Sequence, residues 1–192
     1  QVPSGGLPST IGCVVVNVAT AAALYNAAVK GEPVTGRVTT VAGSAINGGY
    51  NLYIPLGTRI IDVLKFLDID EYKAVKIISG GPMMGVAVAD INSPVIKGTS
   101  GLLLLNEKDA ALPEESPCIR CGRCANVCPI GLVPSLLDAF SRANKLDECE
   151  KWHIKDCIEC GSCTFICPAK RYLMQSLRLA KKAVNQRGRE VR

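Results

Sequence analysis

The sequence predicts an α+β protein in which a β-rich segment precedes a helical, cysteine-rich one. Short runs of β-branched residues, separated by Gly, Pro and Asn turns, occupy residues 32–106. Residues 118–192 carry two copies of one cysteine pattern, each followed by a stretch with helical spacing. Because strands and helices are segregated along the chain, we expect four parts: residues 1–31, 32–106, a linker at 107–117, and 118–192.

Residues 1–31 begin with a turn rich in Gly, Pro and Ser. The apolar run IGCVVVNV that follows has the composition of a strand, and ATAAALYNAAVKG has that of a helix. We predict that Thr20 caps this helix and that Gly31 ends it. The sequence has no initiator methionine, so we expect it to be a piece of a longer chain.

Residues 32–106 contain one predicted helix, Arg59–Leu67, which follows the turn PLGT. The segment GGPMMG places Met83 and Met84 between glycines, and we interpret it as a strand corner whose thioethers fill a core. The predicted strands are Arg37–Ala42, Tyr50–Ile54, Val75–Ser79 and Gly101–Leu105.

The linker is polar and contains proline, so no regular element is predicted there.

In the C-terminal part we expect a helix after each Cys-Pro pair and a third helix between them. The last residues, NQRGREVR, are expected to fray. The predicted helices are Val133–Ala143, Leu146–His153 and Tyr172–Val184.

Eight of the ten cysteines form two copies of the pattern C-x2-C-x2-C-x3-C-P. This is the ligand pattern of bacterial-type 4Fe–4S ferredoxins, in which the fourth cysteine of each run binds the other cluster. Three cysteines at this spacing surround one face of a cluster, and the proline then directs the chain away. We therefore predict two 4Fe–4S clusters that transfer single electrons. Cluster A takes Cys118, Cys121, Cys124 and Cys167, and cluster B takes Cys157, Cys160, Cys163 and Cys128.

Other uses of these cysteines fit the sequence less well. A disulfide framework suits a small secreted domain, whereas this chain has 192 residues and no signal peptide. Structural zinc pairs two C-x2-C knuckles without a third cysteine, and a Rieske centre needs two histidines where the chain has only His153. We expect His153 at the surface or at a helix cap. Cys13 and Cys149 lie outside both runs and are expected to be small buried hydrophobes.

Positive charge is concentrated at the C-terminus. From Ala169 onward there are eight basic residues and one acid, a net charge of +7, so the preceding residues carry −2 of the chain's +5. Two interpretations stay open: a solvated helix face with a disordered tail, or a surface that docks anionic lipid or an acidic partner such as a ferredoxin. No aromatic residues interleave this basic stripe, which disfavours nucleic-acid binding.

Two further properties bear on location. No stretch of about 18 unbroken apolar residues occurs, so we expect no membrane-spanning segment. Thiolates that bind clusters must stay reduced, which indicates a cytosolic location.

Five segments carry a resemblance to a known family. In chain order they are CVVVNVATAAALYNAAVKG, PVTGRVTTVAGSAINGGYNLYIPLGT, SGGPMMGVAV, KGTSGLLLLNEKD and SPCIRCGRCANVCPIGLVP. Together they resemble the C subunit of the Rnf-type ion-translocating electron-transport complex over nearly the whole length. The resemblance implies a β-grasp domain of the SLBB type for residues 32–106, followed by a mostly helical two-cluster ferredoxin-like domain.

The same resemblance implies a preceding domain that binds FMN and NAD(H). The segment VVNVAT is similar to the end of that flavin domain, so the family implies that Asn17 and Thr20 contact FMN in the intact protein. No glycine-rich phosphate loop precedes residue 30, so this piece alone is expected to bind neither cofactor. The implied location is peripheral, at the cytoplasmic face of the bacterial inner membrane. The implied partners are membrane subunits of the complex and a ferredoxin-like subunit.

We therefore interpret the chain as the electron-relay portion of an ion-translocating oxidoreductase. An Rnf-like cobalamin reductase of propanediol utilisation has a similar layout and remains an alternative. So does an independent ligand-binding module in the β-grasp segment. The related subunit of the sodium-pumping quinone reductase is disfavoured because it lacks twin cluster motifs.

The charges next to the cysteines predict a difference between the clusters. Arg120 and Arg123 flank cluster A, whereas Asp156 and Glu159 flank cluster B. Positive charge stabilises the reduced, more negative cluster by roughly 1–2 kcal/mol per charge before screening. We therefore expect cluster A to have the higher reduction potential.

Overall fold

The computed structural model describes residues 2–190, apart from the side chains of residues 71 and 188–190. The chain forms two compact units. One unit is Val15–Leu112, and the other contains the residues up to Val14 together with those from Pro113 onward. The part boundaries predicted from composition, after residues 31, 106 and 117, stay predictions.

The unit Val15–Leu112 begins with a helix whose cap differs from the predicted one. Asn17, with extended backbone, accepts a hydrogen bond from the N–H of Ala19 at 2.9 Å, so it is the N-cap. Thr20 already lies in the first turn, and its prediction as the cap was wrong by three residues. Gly31 ends the helix as predicted, with a left-handed φ of 68°. The helical elements are α1, Val18–Tyr25, and one π-helical turn, Asn26–Lys30.

The run IGCVVVNV, predicted as a strand, does not join the sheet. A 3₁₀ turn at Pro8–Ile11 takes its first residue, residues 12–17 have no regular structure, and α1 takes its last residue. Apolar composition alone did not distinguish a strand from this connection.

A five-stranded mixed sheet occupies the centre of this unit, in the order β2-β1-β5-β3-β4. The first strand forms an antiparallel hairpin with the second and runs parallel to the fifth, while the third is antiparallel to both the fifth and the fourth. All four predicted strands are present within one residue, and β4 was missed because it contains only two residues. The strands are β1, Gly36–Ala42; β2, Tyr50–Pro55; β3, Lys76–Ser79; β4, Val86–Ala87; and β5, Gly101–Leu105.

The core of this unit joins the sheet to α2, Ile60–Phe66, which lies within the predicted Arg59–Leu67. Leu64 from the helix and Leu102 and Leu104 from β5 are buried in one cluster. The alternating burial along β5 follows from the alternation of side chains on a strand. The cluster consists of Val41, Ile54, Ile60, Val63, Leu64, Ile77, Val95, Leu102 and Leu104.

Two expectations for this unit were wrong. Met83 and Met84 are 40% and 53% exposed, so they do not fill a core. The first residues of the expected linker form a short helix, α3, Glu107–Ala110, because the side chain of Asn106 accepts a hydrogen bond from the N–H of Asp109 at 3.0 Å.

The cysteine-rich unit is helical, and its core lies where the longer helices meet. Leu137, Cys149, Ile154 and Leu177 are buried there. The last helix continues past the predicted Val184, so the residues expected to fray are helical up to 190, and residues 191 and 192 lie outside the described residues. The helices are α4, Arg123–Asn126; α5, Pro134–Arg142; α6, Leu146–Lys151; α7, Ser162–Ile166; and α8, Leu173–Glu190.

Truncating Leu104 should test the core of the sheet-bearing unit. Leu104 is fully buried, so we expect Leu104→Ala to lower the free energy of unfolding by about 2–5 kcal/mol through lost burial and the cavity left behind. The measurement is urea unfolding followed by circular dichroism. The matched control is Leu112→Ala, since Leu112 is 72% exposed and should lose less than about 0.5 kcal/mol. Equal losses would contradict the assigned core.

Candidate metal centre

One cavity brings together the four cysteines assigned to cluster A, and we call it cavity A. Cys118 and Cys121 lie in the loop before α4, Cys124 lies in α4, and Cys167 follows α7. The remaining lining residues are Ile119, Arg120, Gly122, Arg123, Ser135, Pro168, Ala169, Arg171 and Leu173.

A second cavity, cavity B, brings together the four cysteines assigned to cluster B. Cys157 and Cys160 precede α7, Cys163 lies in it, and Cys128 follows α4. Each cavity thus takes three cysteines from one run and the fourth from the other run. The remaining lining residues are Pro129, Ile130, Leu132, Pro134, Ile158, Glu159, Gly161, Ser162, Met174 and Leu177.

The two cysteine loops have the same backbone pattern because three matched positions adopt left-handed φ. Gly122 and Gly161, at 73° and 82°, precede α4 and α7. Arg120 and Glu159, at 54° and 56°, occupy equivalent positions between the first two cysteines of each run. The third pair is Gly131 and Lys170, at 70° and 53°. Left-handed φ is costly for residues other than glycine, and its recurrence curls both loops around their cavities.

Consecutive side chains at the start of α8 lie between the two cavities. Leu173 lines cavity A and Met174 lines cavity B, and both are buried against Cys124, Cys163 and Cys167. The N–H of Met174 donates to the hydroxyl of Thr164 at 2.8 Å, which fixes this helix start to α7.

The thiols of cavity B differ in their readiness to ionise. Burial raises the pKa of Cys163 to about 11 and also raises the pKa of Cys157. The hydrogen bond between Cys160 Sγ and Ser162 Oγ, 3.5 Å long, lowers the pKa of Cys160. Buried thiols ionise readily only when a cation replaces the proton, and thiolate is the ligand that iron in such clusters requires. The donor set therefore fits an iron–sulfur cluster.

Among the described residues, no three His, Cys, Asp or Glu side chains are arranged to hold a single metal ion. A 4Fe–4S cluster makes a different demand, because each of its four thiolates binds a different iron. The Sγ of Cys128 also accepts a hydrogen bond from the N–H of Leu132 at 3.3 Å, and such bonds to cysteine sulfur tune clusters.

The charges around the cavities follow only part of the sequence-based expectation. Arg120 and Arg123 line cavity A as expected, and Arg171 joins them. Glu159 lines cavity B, but Asp156 does not. The Asp156 carboxylate instead accepts hydrogen bonds from Ser4 Oγ at 2.7 Å and from the Gly5 N–H at 2.6 Å, near the N-terminus. Asp156 was assigned to cluster B because it is adjacent to Cys157 in the sequence. Its hydrogen bonds to Ser4 and Gly5 could not be inferred from that spacing.

The negative charge of Glu159 is itself compensated. Arg178 Nε donates to one carboxylate oxygen at 2.7 Å, and Lys181 Nζ lies 3.8 Å from the other. Lys181 Nζ also donates to the carbonyl of Cys157 at 2.6 Å. Both basic residues belong to α8, so the C-terminal helix supplies the positive charge that compensates Glu159. Part of the positive charge of the C-terminus is therefore paired with carboxylates of the same unit. Arg187, which lies 3.3 Å from Asp147, is another example.

A buried carboxylate orients the arginine that sequence reasoning missed at cavity A. Asp138, only 2% exposed, binds Arg142 Nε at 2.8 Å and Arg171 Nη2 at 2.5 Å. Burial by itself would raise the pKa of Asp138, but the hydrogen bonds from Arg142 and Arg171 outweigh it and hold the pKa below the usual carboxyl value. Arg142 also binds Glu115 at 2.8 Å, which accepts from the N–H of Tyr172 at 2.7 Å. This network connects α5 to the start of α8.

The remaining predicted residues fall outside both cavities. Cys149 is buried as expected, whereas Cys13 is exposed, so its prediction as a buried hydrophobe was wrong. His153 is at the surface as expected, in left-handed backbone at the N-cap of a 3₁₀ turn. Asn17 caps α1, and Thr20 lines a separate cavity in the unit Val15–Leu112, together with Arg37, Tyr53 and Lys97.

Comparison with known proteins places the cysteine loops in a described family. Residues 114–172 match the family model of the 4Fe-4S dicluster domain. The chain therefore contains a 4Fe-4S dicluster domain, and its cofactors are iron–sulfur clusters.

Three relatives extend the similarity to nearly the whole chain. The C subunit of the proton-translocating ferredoxin:NAD(+) oxidoreductase complex of Clostridium ljungdahlii is 47% identical over 94% of this chain. The C subunit of the Na(+)-translocating ferredoxin:NAD(+) oxidoreductase complex of Acetobacterium woodii is 45% identical over 96% of this chain. The C subunit of the ion-translocating oxidoreductase complex of Rhodobacter capsulatus is 40% identical over 97% of this chain. The chain is homologous to these C subunits.

These matches confirm the resemblance predicted from the sequence. The chain spans about two fifths of the length of these relatives, namely 40%, 42% and 36% of the three. No helix in residues 2–190 combines the length and apolar character needed to cross a bilayer.

Replacing the buried carboxylate should destabilise the cysteine-rich unit. We expect Asp138→Asn to lower the free energy of unfolding by about 3 kcal/mol at pH 7, because it leaves two arginines without their shared partner. The lowered pKa means that this stabilisation is present above the unfolded carboxyl value of about 3.9 and is lost as the pH falls through the folded value. The gap between native and variant should therefore narrow in acid. Anaerobic urea unfolding across this pH range measures it.

The control is Asp147→Asn, which removes a carboxylate that is 89% exposed and pairs with Arg187. An exposed pair contributes less than about 1 kcal/mol, so this variant should stay close to the native protein. A loss at Asp147 as large as that at Asp138 would contradict the importance assigned to the buried network.

Proposed function

We propose that this chain is an electron-relay portion of the C subunit of an ion-translocating ferredoxin:NAD oxidoreductase. The observation that carries the proposal is the pair of cavities, each surrounded by three cysteines of one run and the fourth of the other. The names of the relatives supply the class of complex. Bound clusters would supply one-electron redox chemistry, and the cysteines that line the two cavities would hold them.

The proposed ligands follow the crossed pattern. Cluster A is held by Cys118, Cys121, Cys124 and Cys167, and cluster B by Cys157, Cys160, Cys163 and Cys128. Their grouping around two cavities, four cysteines to each, supports this assignment. The left-handed loops, which bring backbone close to the thiols, support it as well.

For the sheet-bearing unit we propose a β-grasp fold of the SLBB type. Its support is the sheet order, in which the first and last strands are neighbours and run parallel in the centre. The helix α2 in the connection between the two halves of the sheet packs into the same core.

The activity of the intact protein is a further part of the proposal. There, NAD(H) would exchange a hydride with FMN, with the chain attached peripherally to membrane subunits at the cytoplasmic face and to a ferredoxin-like subunit. Asn17 and Thr20 are the proposed FMN contacts. Since the Oδ1 of Asn17 caps α1, its Nδ2 is the group that remains to donate to a flavin. The names of the relatives support the NAD partner, since they include ferredoxin:NAD(+) oxidoreductase.

Iron analysis of cysteine variants tests the proposed ligands. We expect the anaerobically reconstituted chain to hold about eight irons with matching acid-labile sulfide, and its reduced EPR spectrum to show two interacting clusters. Crossed ligation predicts that Cys167→Ala damages the same cluster as Cys118→Ala, while Cys128→Ala damages the same one as Cys157→Ala. The EPR spectra of these four variants should therefore form those two pairs.

Cys149→Ala is the control, because Cys149 is buried outside both cavities and its loss should leave the iron count unchanged. If Cys167→Ala instead matched Cys157→Ala, ligation within each run would be established and the crossed assignment would be wrong. Zinc in place of iron would overturn the relay itself.

The charges predict which cluster has the higher potential. Arg120, Arg123 and Arg171 line cavity A, and of these Arg171 is paired with Asp138. The one carboxylate that lines cavity B, Glu159, is paired with α8. We expect cluster A to be reduced at a potential higher by some tens of millivolts, with screening reducing the Coulomb contribution. An EPR-monitored redox titration of Cys167→Ala and Cys128→Ala, each retaining the other cluster, measures both potentials. The hypothesis fails if the cluster left in Cys167→Ala has the higher one.

A further inference from the structure

The rim of cavity A is open to solvent and basic. Cys118 and Cys121 are exposed, and between them Ile119 is 67% exposed. Arg120 and Arg123 are exposed as well. Among the side chains that the structure describes, which leave out those of residues 71 and 188–190, no carboxylate lies within ion-pair distance of either arginine. The loop that lines cavity A thus presents one exposed apolar side chain, Ile119, together with two exposed positive charges, Arg120 and Arg123.

The rim of cavity B differs although its backbone is the same. Glu159 and Ser162 occupy the positions of Arg120 and Arg123, and Glu159 is held by two basic residues of α8. Three of its four cysteines are only partly exposed and Cys163 is buried. Since the second loop adopts the same left-handed turns without arginine, the fold does not require arginine in the first loop.

We propose that the loop Cys118–Cys124 is the docking surface for an electron-transfer protein whose cofactor is surrounded by carboxylates. The proposal rests on the proposed function, because it assumes a cluster in cavity A. Positive charge around an exposed redox site attracts an acidic partner, raises the association rate and orients the encounter. Ile119 supplies the small apolar centre that such a polar interface needs.

The docked complex requires a balanced transfer of one electron. The partner's reduced centre is oxidised by one electron, and the cluster held by Cys118, Cys121, Cys124 and Cys167 is reduced by one. No bond is formed or broken, and no proton is transferred. In the opposite direction the same surface would serve for the reverse transfer.

The internal repeat supplies a well-matched variant. Arg120→Glu with Arg123→Ser converts the loop into CIECGSC, the sequence of Cys157–Cys163. The second loop shows that this sequence is compatible with the same turns around a cysteine cavity. The control with the same change of −3 in charge is Lys145→Ser with Lys182→Glu, two exposed residues that line neither cavity.

The experiment measures binding of the cluster-loaded chain to a small ferredoxin of net negative charge, by anaerobic calorimetry at low ionic strength. We expect the loop variant to bind at least about tenfold more weakly and with less dependence on salt, while the control binds like the native chain. A basic redox protein, cytochrome c, should not lose affinity for the loop variant. A parallel measurement uses vesicles containing phosphatidylglycerol.

Four results would contradict the proposed docking surface. Equal ferredoxin affinity for the native chain and loop variant, equal loss in the control, or no binding by the native chain would overturn the proposal. So would binding to the vesicles in place of ferredoxin, because lipid would then be the occupant. Iron content and the EPR spectrum are recorded on the same samples, so that failure of the docking proposal can be distinguished from failure of the proposed function. A chain without two clusters refutes the electron relay. A chain with two clusters and unselective binding refutes only the docking surface.

Discussion

Neither cysteine cavity is complete without a residue from the other half of the repeat. Cys167 closes the cavity of the first run and Cys128 closes that of the second, so the two loops have to fold together. Other contacts of the unit hold the two loops and the helices around them together. Leu173 and Met174 form the wall between the cavities, and the buried Asp138 holds α5 to the start of α8 just beyond that wall. Without the exchange, each loop would be a short turn with little apolar surface to bury.

Comparison of the two cysteine loops distinguishes the backbone conformation that the fold requires from the charges that differ between them. Both loops need left-handed backbone at the same three positions, and the side chains there include arginine, glutamate, lysine and glycine. Backbone conformation is therefore shared by the two halves while charge is not. The ion pairs follow the same division: Glu159 is compensated by α8, whereas the arginines at the first loop face solvent. The two cysteine loops therefore share a backbone conformation but surround their cavities with different charges.

Local patterns predicted most of the elements, whereas hydrogen bonds and ion pairs between distant residues were not predicted. The strands and the helices after each Cys-Pro pair were found because their signals lie within a few residues. The grouping of the eight cysteines was predicted because the twin runs match the crossed ligand pattern of bacterial-type ferredoxins. The errors have a common cause. Asp156 was assigned to a cluster by its position in the sequence, yet its hydrogen bonds go to Ser4 and Gly5, about 150 residues away. Arg171 was missed because its place at cavity A depends on Asp138, 33 residues earlier.

The net charge of the C-terminus illustrates why this distinction affects function. Counted along the sequence, residues from Ala169 onward are the most basic part of the chain and invite assignment to a lipid or protein surface. In the folded unit, Arg171, Arg178, Lys181 and Arg187 pair with carboxylates of the same unit, which reduces the charge available to an external partner. Arg120 and Arg123 contribute only two charges, but these are close together, exposed and unpaired among the described residues, and they surround a redox site. Charge that is local and uncompensated attracts a partner more specifically than a larger charge already neutralised within the fold.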